Sequence, residues 1–324
     1  MNSTLGFIKL LRPVNLLIIV FTMYAMRWGV LHAIAEHHGL VQGFLLEEWK
    51  FGLMVFVMVL LAAAGNMIND YFDLKVDRVN KPEKVIVGRV VKRRVVMAGH
   101  HAFNVIATLI TVWLAWDQND WRLILFPVTM SALLWFYSLL FKKQIWIGNF
   151  VVSLLVAVVP VWAGFIEVPK LAHAFTLTGG NGNAFSFDSW QWLLGYAGFA
   201  FWTTMIREAQ KDIEDTEGDK AGGFTTIPIA WGEKGAKRYI IGLFTVLFVA
   251  IAITLWAIRD YVPNETSFFI FAAMVVAAIF IPALVSLRFT WIARKKAHYG
   301  VASKWSKILM AGGLIIGALM PLWL

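Results

Sequence analysis

The stretch Asn66-Met-Ile-Asn-Asp-Tyr-Phe-Asp-Leu-Lys-Val-Asp77 places polar residues at positions 66, 70, 73 and 77, in steps of four, three and four. The stretch Glu208-Ala-Gln-Lys-Asp-Ile-Glu-Asp-Thr-Glu-Gly-Asp219 repeats this spacing 142 residues later. Residues with this spacing share one face of a helix, so each stretch is predicted to present three aspartates as a stripe. Both stretches emerge from strongly apolar segments, where an uncompensated carboxylate is costly and indicates a function. We call them the first and second acidic stripes.

The two acidic stripes together predict a site for a hard cation. Facing each other, they would form a cage of oxygen ligands suited to Mg²⁺ and a phosphorylated substrate. A diphosphate cannot rest directly against carboxylates, so Mg²⁺ must bridge them and neutralise the leaving group as its bond to carbon breaks. The chain has no cysteine, which excludes thiolate metal ligands. The predicted metal ligands, of which the aspartates are also the predicted catalytic residues, are Asn66, Asn69, Asp70, Asp73, Asp77, Asp212, Asp215 and Asp219.

The composition is typical of an integral membrane protein. Hydrophobic residues make up 59% of the chain and charged residues 15%, with a mean hydropathy of +0.68. A soluble domain usually has about a quarter charged residues, and a membrane-spanning helix needs about 20 apolar residues. We therefore predict an all-α polytopic membrane protein, with one helical bundle and a single domain over residues 1–324. The nine predicted transmembrane helices are 13–34, 51–70, 95–116, 121–141, 147–167, 190–208, 239–258, 267–289 and 306–323.

The distribution of lysine and arginine predicts the orientation. With the N-terminus inside, 24 of the 29 basic residues lie in cytoplasmic segments and five lie outside, as the positive-inside rule requires. Both acidic stripes then lie at cytoplasmic helix ends, so the active site faces the cytoplasm and the C-terminus lies on the outer side. The net charge of +9 is then mostly a topology signal. It does not indicate nucleic-acid binding; membrane lipids are the expected surroundings, and the sequence indicates no protein partner.

Basic residues close to the stripes could hold a diphosphate. Arg207 and Lys211 are favoured, because they are interleaved with the second stripe. Each basic residue could instead be a topology charge or contact lipid headgroups. The complete predicted substrate-binding set is Asn66, Asn69, Lys81, Lys84, Arg89, Tyr137, Lys142, Arg207 and Lys211.

At these residues the chain resembles the UbiA superfamily of intramembrane prenyltransferases. Asn69-Asp70-x-x-Asp73-x-x-x-Asp77 resembles the first aspartate-rich motif of that family, and Lys211-Asp212-x-x-Asp215-x-x-Gly218-Asp219 resembles the second. Beyond residue 229 the similarity is one of hydropathy alone. Shorter stretches that are also similar to the family are Arg12-Pro13 with Asn15, Tyr137-Ser138 followed by Lys142 and Gly148-Asn149, and Thr226-Ile227-Pro228-Ile229.

The resemblance implies Mg²⁺-dependent transfer of a polyprenyl group from its diphosphate to a lipophilic acceptor. Family members differ chiefly in the acceptor, which is hydroxybenzoate, dihydroxynaphthoate, homogentisate, haem or geranylgeranylglyceryl phosphate. The second motif is most similar to the branch that makes archaeal-type ether lipids, so we expect a geranylgeranyl donor and geranylgeranylglyceryl phosphate as acceptor. The alternative is an aromatic quinone precursor such as dihydroxynaphthoate or hydroxybenzoate. One departure is Lys81-Pro82, where the family often has Arg-Pro, because lysine lacks the planar fork of arginine.

A divalent-cation transporter is the alternative from a different class, since repeated acidic motifs also occur along ion pathways. Transporter sites tend to lie near the membrane midplane, often within inverted repeats. Here the predicted stripes lie at the inner boundary and the repeat is parallel. Arg207 and Lys211 would also repel a travelling cation but would hold a diphosphate, so the sequence favours the enzyme.

Overall fold

The computed structural model describes residues 2–40, 43–259 and 261–324. All regular secondary structure in these residues is helical, apart from one isolated bridge between Val87 and Val91. The all-α prediction is therefore confirmed. The α-helices in chain order are α1 (Ser3–Leu10), α2 (Pro13–Tyr24), α3 (His32–His37), α4 (Glu48–Phe72), α5 (Leu74–Asn80), α6 (Arg93–Asp117), α7 (Leu125–Leu139), α8 (Ile147–Gly164), α9 (Glu167–Leu177), α10 (Gly182–Gly222), α11 (Ile227–Ile258), α12 (Glu265–Val275), α13 (Ile281–Ile292) and α14 (Lys296–Ala318).

Shorter helical turns join several of these helices. Two π-helical segments follow α2 and α12, at Ala25–Leu31 and Val276–Phe280. The four 3₁₀ turns are Pro82–Lys84, Trp121–Ile124, Phe141–Lys143 and Met320–Leu322.

Seven helical segments in the described ranges are long and apolar enough to cross a bilayer, and each overlaps a predicted span. Predicted spans 190–208 and 306–323 lie in α10 and largely in α14, which are not among the seven. Trp, Tyr, Thr and Gly residues dilute the aliphatic content of α10, and three lysines do so in α14. A polytopic membrane protein is therefore confirmed, whereas nine crossings stay a prediction. The seven segments are Pro13–His37, Glu48–Phe72, Arg93–Asp117, Trp121–Lys143, Ile147–Leu177, Ile227–Ile258 and Glu265–Ile292.

The chain divides into two compact units, and α2, α8 and α10 each contribute residues to both. The single domain over residues 1–324 stays a prediction. The first unit comprises Met1–Phe21, Glu47–Leu155 and Asp215–Thr226. The second unit comprises Thr22–Leu46, Val156–Glu214 and Ile227–Leu324.

In the first unit, α4 packs along α6 and α7. Gly65 permits the contact with α7, because an added Cβ would lie 2.6 Å from the Leu134 side chain. Burial of an aliphatic side chain stabilises by roughly 1.5–3 kcal/mol, so a buried cluster fixes α1 and the loop after α5 against the end of α4 that carries the first stripe. This cluster consists of Leu10, Met67, Val87, Val91 and Val96.

In the second unit, α14 packs against α13 and against the π-helical segment after α2. The approach is close at Gly29, where an added Cβ would lie 2.2 Å from the carbonyl oxygen of Gly317. Glycine at position 29 therefore brings these two helical segments into backbone contact.

Candidate active site

The first acidic stripe is interrupted at Asp73. Helix α4 ends at Phe72 and α5 begins at Leu74, so the stripe is divided between two helices. Asp73 N–H still donates to the Asn69 carbonyl, and Asp77 N–H to that of Asp73. The Asp73 carboxylate accepts a hydrogen bond from Asn69 Nδ2 at 2.8 Å and pairs with Lys142. Asp is a poor residue for a helix interior, because its side chain bonds nearby groups in competition with the helix. The interruption therefore coincides with the residue whose carboxylate is held by two neighbours.

The second acidic stripe lies on one helix, as predicted. Residues 208, 212, 215 and 219 all belong to α10, which runs without interruption from Gly182 to Gly222. The helix ends in a Schellman motif, in which Phe224 N–H donates to the Asp219 carbonyl and Gly223 N–H to that of Lys220. Gly223 has a φ of +75°, a conformation that glycine adopts without strain. The stripe is therefore complete before the helix stops.

Arg12 reaches the first stripe from the turn between α1 and α2. Its Nη2 lies 2.5 Å from Oδ1 of Asp70, and its own φ is +55°, which is uncommon for a residue with a side chain. Asn66 Nδ2 donates to the Leu11 carbonyl at 3.0 Å and ties this turn to α4. The sequence missed the pairing, because 58 residues separate Arg12 from Asp70; the only signal was the Arg12-Pro13 resemblance.

Lys142 is a second cation at the first stripe, and the sequence predicted it as a substrate ligand. Its Nζ pairs with Asp73 and donates to Oδ1 of Asn69 at 3.1 Å. Gly148 permits this placement, since an added Cβ would lie 2.7 Å from the Lys142 Cα. The next residue, Lys143, accepts a hydrogen bond from Thr225 N–H at 2.8 Å. Lys142 is thus fixed from both sides, and only 9% of its side chain is exposed.

Asp77 shows that negative charge accumulates along the first stripe. Burial, followed by repulsion from Asp73 and Asp70, raises the pKa of Asp77 to about 6. A carboxylate next to two others is stabilised by any cation that binds among them. The stripe is therefore electrostatically suited to a further cation beside Arg12 and Lys142.

Lys81, which follows α5 and the first stripe in the chain, contacts Asp215 of the second stripe. Its Nζ lies 3.0 Å from Oδ1 and 3.3 Å from Oδ2 of Asp215, and its role as a substrate ligand stays a prediction. Lys84 and Arg89 are exposed on the loop that follows, and neither forms an ion pair with another described residue. The loop thus contributes one cation that lies against a carboxylate and two that face outward.

The basic residues beside the second stripe pair with a carboxylate of their own helix, and their role as substrate ligands stays a prediction. Arg207 and Lys211 both pair with Glu208 on the same helix, Lys211 at 3.3 Å. Asp212 is half-buried on α10, and Asp219 is buried. Tyr137, the remaining predicted substrate ligand, is half-buried near the end of α7. Arg207 and Lys211 therefore share one carboxylate of the stripe, which can balance only one of their two positive charges.

A buried polar network fixes α10 beside the second stripe, and sequence reasoning missed it. Gln210 Nε2 donates to the hydroxyls of Ser286 and Thr290, each at 2.9 Å, and its Oε1 accepts from Ser306 at 2.8 Å. All four side chains are fully buried. Buried polar groups of this kind are stable when every bond is made. The network therefore fixes the rotation of α10 just before Lys211.

The donor set fits Mg²⁺, which favours carboxylate and amide oxygens over nitrogen or sulfur ligands. Within the described ranges, no three acidic or histidine side chains are already close enough to hold a metal ion. Asp70 and Asp73 of the first stripe lie against Arg12 and Lys142 instead. The elevated pKa of Asp77 indicates that an added divalent charge beside this carboxylate would be favourable. The metal-ligand set thus stays a prediction whose chemistry the site supports.

Comparison with known families decides the class of this protein. A model of the UbiA prenyltransferase family matches residues 13–308. This chain belongs to that family. It is therefore a membrane prenyltransferase, which decides against the divalent-cation transporter. The match continues well beyond residue 229, where the motif resemblances end.

Individual relatives agree with the UbiA assignment. The chain is 34% identical over 245 residues to the digeranylgeranylglyceryl phosphate synthase of Thermococcus kodakarensis, with 75% of each chain covered. It is 28% identical over 308 residues to the synthase of the same name from Methanothermobacter thermautotrophicus, covering 94% of this chain and 91% of the relative. Its fold is similar to that of a UbiA homolog from Archaeoglobus fulgidus bound to DMAPP and Mg²⁺, with a TM-score of 0.57, 15% identity and coverage of 96% and 98%.

Proposed function

We propose that this prenyltransferase moves a geranylgeranyl group from its diphosphate to geranylgeranylglyceryl phosphate, a step in the synthesis of ether lipids. The observation that carries the proposal is the alternation of carboxylates and cations along the first stripe, with Arg12 on Asp70 and Lys142 on Asp73. Such a surface can receive an anionic diphosphate together with its metal ions. The names of the two archaeal relatives support the choice of acceptor.

Different residues would bind the metal ions and the diphosphate of the donor. The aspartates of both stripes would hold Mg²⁺, which when bound neutralises the diphosphate as it leaves. Lys142 and Lys81 are each within hydrogen-bonding reach of a stripe carboxylate, so their ammonium groups are placed to donate to diphosphate oxygens. Charge that is fixed before the reaction stabilises the transition state without reorganisation. The positive charge that develops on the prenyl carbon then lies outside this polar surface.

The loop after α5 is the proposed place for the phosphate of the acceptor. A glycerol phosphate brings a second anionic group beside the donor diphosphate and needs cations of its own. Lys81 is already against Asp215, whereas Lys84 and Arg89 are exposed. A neutral aromatic acceptor would leave these two charges unused. Lys84 and Arg89 are therefore proposed to bind the acceptor and not the donor.

The membrane arrangement completes the proposal. Nine transmembrane helices, with the N-terminus and the site in the cytoplasm and the C-terminus outside, agree with the 24-to-5 distribution of basic residues. Both substrates carry long apolar chains that lie in the bilayer. A site at the cytoplasmic ends of apolar helices gives their charged heads access to water-soluble Mg²⁺.

The test is a competition assay in isolated membranes. Membranes that contain this protein are incubated with labelled geranylgeranyl diphosphate, Mg²⁺, and equal concentrations of geranylgeranylglyceryl phosphate and dihydroxynaphthoate. Membranes without the protein are the control. We expect label in the glycerol ether, complete loss of transfer with EDTA, and recovery when Mg²⁺ is restored. Label in the aromatic compound alone would replace the lipid assignment with a quinone-pathway role, and transfer that persists without divalent metal would contradict the metal-ligand proposal.

A further inference from the structure

Asn80, the last residue of α5, bonds directly to the backbone of the second stripe. Its Nδ2 donates to the Asp215 carbonyl at 3.0 Å, and its Oδ1 accepts from Gly218 N–H at 3.0 Å. One side chain therefore uses both ends of its amide on two groups of α10. Asn80 was not among the residues that the sequence singled out, since 135 positions separate it from Asp215.

Gly218 is the counterpart of Asn80 on α10. A Cβ added at position 218 would lie 2.2 Å from Nδ2 and 2.4 Å from Cγ of Asn80. Real Cβ contacts do not approach this closely, and the Asn80 amide is held at both ends. Gly218 is part of the helix and has no positive φ. Glycine is thus required here by the Asn80 side chain and not by backbone conformation.

The residue after Asn80 holds the same aspartate. Lys81 pairs with the carboxylate of Asp215, while Asn80 bonds the main-chain carbonyl of that residue. Asn80 and Asp77 both lie in α5, so the segment that carries the last carboxylate of the first stripe also holds Asp215. All these contacts lie inside the first compact unit. The backbone and the carboxylate of Asp215 are therefore fixed by consecutive residues.

We infer that Asn80 is a positioning residue. Together with Gly218, which leaves room for it, Asn80 holds Asp215 where this carboxylate and the first stripe can bind the same Mg²⁺ and diphosphate. The inference rests on the proposed use of both stripes to bind Mg²⁺ with the diphosphate. Outer-shell partners that orient metal-binding carboxylates typically change metal affinity or activity by 10–100-fold when they are removed. A residue with this role should change how the protein responds to Mg²⁺ and diphosphate, beyond any change in its stability.

The experiment compares Asn80→Ala, Gly218→Ala and the double variant with the wild type. The matched control is Asn264→Ala, because Asn264 also bonds a backbone N–H, that of Ser267 at 2.9 Å, and lies at a helix start far along the chain from both stripes. The first readout is the rise in melting temperature of the purified protein with Mg²⁺ and inorganic pyrophosphate. The second readout separates KM for the prenyl diphosphate from kcat.

Asn80→Ala and Gly218→Ala should each raise the Mg²⁺ concentration for half-maximal stabilisation by at least about tenfold. Adding Gly218→Ala to Asn80→Ala should have no further effect beyond about twofold, because the shortened residue 80 leaves room for the new Cβ. Asn264→Ala should lower the melting temperature without changing the Mg²⁺ response. If Asn80→Ala does not fold, Gly218→Ala and Asn80→Ser give the same test.

Two results would overturn the inference. One is a variant that melts earlier but retains the wild-type Mg²⁺ response and KM, which would make the contact purely structural. The other is a double variant in which the Mg²⁺ concentration for half-maximal stabilisation rises by the product of the two single-variant increases. Failure of the proposed function has a different signature, because the wild type itself would then show neither stabilisation by Mg²⁺ with pyrophosphate nor prenyl transfer.

Discussion

The two acidic stripes share one spacing and differ in local structure. The first is interrupted at Asp73, between α4 and α5, and its Asp70 and Asp73 pair with cations from other parts of the chain. The second lies within the uninterrupted α10, where Arg207 and Lys211 pair with Glu208 of the same helix. Identical spacing is therefore found once across a break between two helices and once along a single helix, where Asp215 also pairs with the distant Lys81.

The difference teaches that the two stripes depend on different contacts for their positions. The first stripe is held by side-chain ion pairs, which can be exchanged for ion pairs with metal or diphosphate. The second stripe is held on α10 by the buried side-chain network of Gln210 in one unit. In the other unit Asn80 bonds its main chain and Lys81 pairs with Asp215. We therefore expect the first stripe to respond to changes of charge and the second to changes of packing.

The largest expected effect is the loss of a carboxylate, and it should be equal at the two stripes. Replacing any one of four stripe aspartates by asparagine should lower kcat by at least about 100-fold, roughly 3 kcal/mol of barrier, because both stripes are proposed to hold the metal. Turnover in membranes measures this, and size-exclusion chromatography checks folding. Glu217→Gln is the control, since Glu217 is exposed on α10 outside the stripe. Normal turnover after substitution at one stripe would break the equivalence. The substitutions are Asp70→Asn, Asp73→Asn, Asp212→Asn and Asp215→Asn.

The next effect separates the stripes through their lysines. Lys142 and Asp73 are 9% and 15% exposed, whereas Lys211 is 35% exposed and pairs with Glu208 three residues away. Removing one partner of a largely buried pair costs about 3–5 kcal/mol, and losing an exposed helical pair costs about 0.2–0.5 kcal/mol. Lys142→Gln should therefore lower the free energy of unfolding far more than Lys211→Gln, as measured by denaturation without metal. Equal losses of unfolding free energy in the two variants would contradict the proposal that the first stripe depends more strongly on its ion pairs.

Part of this contrast could be predicted from sequence and part could not. Spacing predicted which carboxylates belong together, because helical periodicity is local. It did not predict the break at Asp73 or the pairing of that carboxylate with Lys142, 69 positions away. The same reason hid Arg12 and Asn80, whose contacts with Asp70 and Asp215 are set by tertiary packing. Hydropathy located seven confirmed membrane-capable segments, because length and apolar content are also properties of short stretches.

An effect of intermediate size is the pH dependence of stability and Mg²⁺ affinity, which we expect to arise from Asp77 of the first stripe. The pKa of Asp77 is raised to about 6 from an ordinary 3.8, so between these values the folded protein holds a proton that the unfolded chain has lost. The metal-free protein therefore loses stability as pH rises through this window. Mg²⁺ competes with the same proton, so its affinity should be about tenfold weaker at pH 5 than at pH 7.

The measurement for this pH effect is thermal stabilisation by Mg²⁺ alone, because a diphosphate itself titrates nearby. Asp77→Asn should weaken binding at pH 7 and remove most of the pH dependence. A dependence that survives in Asp77→Asn would assign the proton to another group. The same Mg²⁺ titration of Asp215→Asn should keep the pH dependence, because Asp77 is intact in that variant.

The smallest effect concerns the exposed loop after α5. Lys84→Gln and Arg89→Gln should change only the KM for the acceptor. Both side chains are exposed, and an exposed charge contact contributes about 0.2–1 kcal/mol, so each substitution should raise the KM for geranylgeranylglyceryl phosphate by up to about fivefold. Turnover at saturation should stay within about twofold, because neither residue is proposed to touch the leaving group. The effect should shrink at high salt, which screens exposed charges. Geranylgeranylglycerol, which lacks the phosphate, is the matched acceptor, and its KM should be the same in both variants and the wild type. An equal rise for that alcohol, or a fall in kcat with no change in KM, would remove the loop from acceptor recognition and leave its two outward cations as topology charges.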